Sequence, residues 1–100
     1  MGRQPPTRAR GRTGTVTITE LCCVRNLDLR VHYNAMLCTY QANIEHACVK
    51  CGCMLRGEWG GGPTADAAVA DYVRRIKGKA LAVQLSSGRI DFSIPDTLTP

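Results

Sequence analysis

The chain is poor in aromatic residues, with three tyrosines, one tryptophan and one phenylalanine among 100 residues. Proteins that hold single-stranded nucleic acid by its bases use exposed aromatic rings. So few rings lead to the expectation that any nucleic-acid contact is made to phosphates and is mainly electrostatic. Nor does any run approach the ~20 apolar residues that cross a bilayer, so no membrane partner is expected. The opening residues Met1-Gly2-Arg3-Gln4-Pro5-Pro6 lack the apolar run of a secretory signal. Pro6 stands where a myristoylation motif wants Ser or Thr. A reducing cytoplasm or nucleus is therefore the expected setting. Reactive motifs are missing as well: there is no HExxH and no HxE…CxxC deaminase pattern. Gly60-Gly61-Gly62-Pro63 lacks the Lys-Ser/Thr of a phosphate-binding loop. No enzyme is expected, and no internal repeat is present.

What the chain does have is positive charge and cysteine. Its net charge is +5, and its estimated isoelectric point is about 9.1. Arg3, Arg8, Arg10 and Arg12 crowd into residues 1–14, a segment with too little apolar content to order itself. We read it as a flexible basic arm and as the candidate contact to RNA phosphates. Six cysteines in a reducing compartment read as metal ligands or reactive thiols rather than disulfides.

Along the chain, Thr15 to Val24 is β-branched and alternating, which predicts a strand. Leu27, Leu29, Val31 and Tyr33 alternate with polar residues and predict a second. The stretch 34–47 fits either a short helix or an extension of that strand. Gly57 and Gly60-Gly61-Gly62-Pro63 predict a flexible connection, with Trp59 read as packing rather than exposed. A helix is expected from Thr64 as N-cap to Gly78 as stop. Asp66 lies in its first turn, Arg74, Arg75 and Lys77 in its last, and Val69, Tyr72, Val73 and Ile76 on one stripe. Ala80–Leu85 and Ile90–Ile94 around Ser86-Ser87-Gly88-Arg89 predict a hairpin.

The expected fold class is thus α+β: a small zinc-stabilised domain with two β-hairpins and one helix. Its expected parts are the arm over 1–14, β-strands with the cysteine cluster over 15–56, the glycine connection over 57–63, and helix plus hairpin over 64–95, all one domain.

Cys48-x-x-Cys51-Gly52 is the sharpest chemical signal. Two thiolates at this spacing grip one zinc ion from a tight turn, and zinc takes thiolate and imidazole tetrahedrally. Four ligands are needed, and the expected set is Cys22, His46, Cys48 and Cys51 with Zn2+. Cys53 is the closest competitor for the fourth place, with Cys23 and Cys38 behind it. Cys38, in apolar company, reads as a buried free thiol, and His32 as solvent-facing. A dimer sharing ligands between two copies is an alternative left open.

These features in this order resemble the small protein encoded first on sobemovirus genomes. Val16-Thr17-Ile18-Thr19-Glu20-Leu21-Cys22 resembles the strand carrying that family's first zinc cysteine, and Cys48-Val49-Lys50-Cys51 its later CxxC pair. Gly78 to Ser87 and on to Ile94-Pro95 resembles its C-terminal strands. About a third of the chain is covered. The family's first CxxC is broken here, because Arg25 stands three residues after Cys22. No Cys or His follows Cys53 to build a second zinc site. The resemblance implies a viral suppressor of host RNA silencing that supports virus movement, acting in the host cell cytoplasm and nucleus with RNA or host silencing proteins as partners. Two other readings compete: a zinc-ribbon-like adaptor that binds protein without RNA, and a thiol oxidoreductase using Cys48 and Cys51.

Overall fold

The computed structural model describes residues 16–100. The arm expected over 1–14, with Arg3, Arg8, Arg10 and Arg12, lies outside the described residues.

The first strand prediction is corrected. Only Val16–Thr17 is extended (β1), pairing in parallel with Leu98–Thr99 (β9) at the other end of the chain. Ile18–Arg25 is a helix, α1. Its start is a capping box: Thr17 Oγ1 accepts from the Glu20 N–H at 3.1 Å, and the Glu20 carboxylate accepts from the Thr17 N–H at 2.9 Å. Two orphan donors are satisfied reciprocally, and this local chemistry outweighs the β-branched propensity of Val16 to Thr19. Asn26, left-handed at φ 58°, ends the helix, and the Leu27 N–H donates to the Cys22 carbonyl at 2.8 Å. Ile18 and Cys22, one turn apart, are its buried residues.

Leu29–Asn34 (β2) and Thr39–Ile44 (β3) form an antiparallel hairpin. Asn34 makes the turn between them, its Oδ1 accepting from the N–H groups of Met36 and Leu37 at 3.0 and 3.2 Å; a side chain that mimics a backbone turn in this way suits Asn. The uncertain stretch 34–47 is therefore turn and strand.

His46, left-handed at φ 65°, redirects the chain into a second sheet. That sheet contains Ala47–Cys51 (β4), Met54–Gly57 (β5), Ala80–Leu85 (β7) and Gly88–Ser93 (β8). Their antiparallel order is β5-β4-β7-β8.

The glycine run is not a connection. Gly60–Gly62 is a strand, β6, paired with β3 at the edge of the first sheet. Above it lies α2, Ala65–Ile76, opened as expected by Thr64, whose Oγ1 accepts from the Ala67 N–H at 3.1 Å. A Cβ on Gly60 would stand 2.2 Å from the Tyr72 nitrogen, and one on Gly62 2.7 Å from Ala67 Cβ. These glycines are what let helix and strand approach so closely. Tyr72, from the expected stripe, accepts the Ile44 N–H on its Oη at 3.0 Å and is fully buried.

The core gathers Ile18 and Cys22 from α1, Ile44 from β3, Tyr72 and Ile76 from α2, and Leu81 and Val83 from β7. The α+β class holds. Helices number two among the described residues, and the hairpins β2–β3, β4–β5 and β7–β8 number three.

Candidate functional site

The four residues expected to bind zinc arise from three different local structures. Cys22 is buried on α1, and its thiol is pushed up to about 11, first by burial and then by the negative charge of Asp28. His46 is a backbone pivot whose side chain is 66% exposed, with Nε2 3.6 Å from Glu45. Cys48 and Cys51 both lie on β4, three residues apart. Side chains on a strand alternate between faces, so an offset of three places them on opposite sides of the sheet. Val49 and its cross-strand partner Leu81 face the core; Cys48 and its partner Ala82 take the other face, next to the Lys50–Asp91 ion pair at 2.9 Å. Gly52, at φ 62°, begins the two-residue turn Gly52-Cys53 that returns the chain into β5, the position where hairpin turns favour glycine. The CxxCG spacing is here the end of a β-hairpin.

Among the described residues, no group of three or more His, Cys, Asp or Glu side chains is close enough to hold a metal ion. In this arrangement Cys22, His46, Cys48 and Cys51 are not gathered around one point. Of the competitors, Cys23 and Cys53 are exposed, and Cys38 is exposed rather than buried, its Sγ 3.5 Å from the Ala35 carbonyl in the β2–β3 turn. His32 is exposed, as expected.

The charge is distributed unevenly. Residues 16–100 carry nine Lys and Arg against eight Asp and Glu, and residues 1–14 carry four Arg and no acid. Within the fold, carboxylates hold most of the cations: Arg30 on Glu45 at 2.9 Å, Lys50 and Arg89 on Asp91 at 2.9 and 2.7 Å, Arg56 on Glu58 at 3.5 Å, and Arg74 and Arg75 on Asp71. Arg25 lies over the Phe92 ring, 4.1 Å from its centroid. Asp71 is the buried node of this set. It accepts from the Gly61 N–H and from Arg75 Nε, each at 2.9 Å, and the Gly61 bond first and Arg75 next hold its carboxyl below its usual range.

Trp59, expected to pack, is 56% exposed. It lines two adjoining concavities, one over the outer face of the first sheet with His32, Gln41 and Asn43, the other reaching Leu37 and Thr39 and bounded also by Glu58 and by Asp71 and Arg75 of α2. With Gly60 and Gly62 turned toward α2, alternation sends Gly61 and Trp59 to the outer face.

No family model, curated protein or solved structure matches the chain. The segment Val16–Cys22, which resembles a zinc-bearing strand of the sobemovirus proteins, is mostly helical here. No helix of the described residues is long and apolar enough to cross a membrane.

Proposed function

We propose that the chain is an RNA-binding accessory protein of the viral silencing-suppressor kind. In this reading the arm, with Arg3, Arg8, Arg10 and Arg12, contacts phosphate, and the α+β fold is its carrier. The observation that supports it most is the charge partition. The fold is nearly neutral and neutralises most of its own cations, so the excess positive charge of the molecule belongs to residues 1–14. Arginines in a segment without acidic residues can neutralise phosphates and release counterions, which makes binding salt-dependent. Changing all four arginines to alanine should lower the slope of log affinity against log salt by about 3 for a single strand, and should weaken silencing suppression in leaf tissue. A slope unaffected by the four substitutions would sink the reading.

A protein-binding adaptor is the second reading. It is favoured by the apolar side chains left exposed at Val24, Met36 and Met54. It predicts suppression without RNA binding, retained by the four-arginine variant and lost when Met36 and Leu37 become polar.

A further inference from the structure

The first sheet has two unlike faces. Tyr40, Ala42 and Ile44 turn toward α2, and cross-strand pairing places Arg30 with Asn43 and His32 with Gln41 on the other side. Trp59 lies exposed beside that outer face, with Glu58 and the α2 residues Asp71 and Arg75 walling one end of it. Concavities of about 350 and 280 Å³ flank Trp59 and share Gln41. A third, of about 300 Å³, continues past His32 and Asn43 to Arg30. The result is one track along β2 and β3, with an indole at its centre.

The chain has a single tryptophan, and it stands exposed. Its surroundings are polar: Gln41 Oε1 accepts from Asn34 at 3.4 Å, and Asn43 Nδ2 donates to the Ile44 carbonyl at 3.2 Å. Among the described residues, Gln41 Nε2 and Asn43 Oδ1 have no protein partner, which leaves one donor and one acceptor facing the track. An aromatic face beside amide donors and acceptors matches an unpaired nucleobase, which offers a π-face and a hydrogen-bonding edge. A peptide track would instead want apolar pockets for alternate side chains, and the large aliphatic side chains along this one are two, Leu37 at one end and Val31 at the other. The bases of a duplex are hidden in their stack and present no face to Trp59.

We propose that this face binds single-stranded RNA by its bases. One base stacks on Trp59, His32 offers a second ring, and Gln41 and Asn43 hydrogen-bond the base edge. The proposal rests on the RNA-binding reading above, with the arm supplying the phosphate contacts that a face carrying the Arg30–Glu45 pair lacks.

Because Trp59 is the only tryptophan, its fluorescence reports on this face alone. The full chain is titrated with single-stranded oligouridylate and oligoadenylate, an abasic oligomer of the same length, and an RNA duplex. Only the base-bearing single strands should quench Trp59. Trp59→Ala should weaken single-strand binding about 5- to 100-fold, the range of one lost base stack, leave duplex binding unchanged, and be largely rescued by Trp59→Phe. The exposure of Trp59 allows these variants to fold, and chemical-shift changes at His32, Gln41 and Asn43 in the wild type give a second readout. RNA binding that leaves Trp59 emission unmoved, with Trp59→Ala binding as tightly as wild type, overturns the base-binding face and leaves the arm reading intact. Quenching that survives in the four-arginine variant at low salt supports the face even where the arm reading fails. Absence of any RNA binding by the wild type removes both. Quenching by an unstructured polar peptide and not by RNA overturns the proposal and gives the face to a protein partner.

Discussion

Gly60 lies under the middle of α2, and a single methyl there would meet both the Tyr72 nitrogen and the Ala68 carbonyl oxygen inside van der Waals contact. Gly60→Ala should therefore destabilise the fold by about 1–3 kcal/mol or more, as overpacking does. Gly61→Ala, whose nearest neighbour would stand 3.7 Å away, should cost far less; denaturant midpoints of the two variants decide this. Tyr72 is the second sensitive residue. Tyr72→Phe leaves the buried Ile44 N–H without its acceptor and should cost about 1–3 kcal/mol. Burial pushes the Tyr72 phenol up to about 12 from its ordinary 10, because the charged form is disfavoured in the core. A group raised in the folded state contributes stability that is present below the unfolded value and lost as pH rises through the folded one. Stability should therefore fall between about pH 10 and 12, and Tyr72→Phe should flatten that limb in a series of unfolding titrations. Asp71 and Asp91 act with the opposite sign. Hydrogen bonds from Gly61 to the first and from Arg89 to the second lower both carboxyls, so their contribution is present at neutral pH and lost as pH falls through the carboxylate range.

α1 is short and carries no strong apolar stripe, so its existence depends on its ends. Thr17→Ala removes the acceptor of the capping box and should cost about 1 kcal/mol, with a matching loss of helical circular dichroism. Asn26→Gly should be tolerated, because the left-handed C-cap suits glycine. The β4–β5 hairpin is the element on which the metal question depends. With Cys48 and Cys51 on opposite faces of β4, a shared ion requires this hairpin to unpair. We expect a chelator to leave amide-exchange protection in β4 and α2 unchanged. Loss of protection on chelation, together with release of zinc in native mass spectrometry, would show that the cysteines leave the hairpin for the metal. Spacing alone does not choose between the two: CxxCG is compatible both with a metal-gripping turn and with the end of a hairpin, because both accept a glycine at positive φ.

On the scale of the whole molecule, two ends of the chain meet where β1 pairs with β9, and α1 begins at that junction. Arg25, near the C-terminal end of α1, reaches Phe92 on β8. The molecule combines a nearly neutral α+β body, an exposed polar sheet face and a strongly cationic segment, and the predicted salt dependence belongs to the last of these alone.

The sequence by itself determined α2, with its Thr64 cap, its Tyr72–Val73–Ile76 stripe and its terminal charges, and also the β7–β8 hairpin and the α+β class. In each of these, a local pattern and the tertiary environment favour the same structure. It also held the capping box of α1, a local signal that the β-branched run concealed. Only tertiary structure decided that three glycines form a strand, because the reason is a helix packed above them. It also decided that Trp59 is exposed, because the parity of that strand turns it outward. The separation of Cys48 from Cys51 has the same origin: ligand types are legible in a sequence, but which side of a sheet each takes depends on a strand pairing that spacing does not encode.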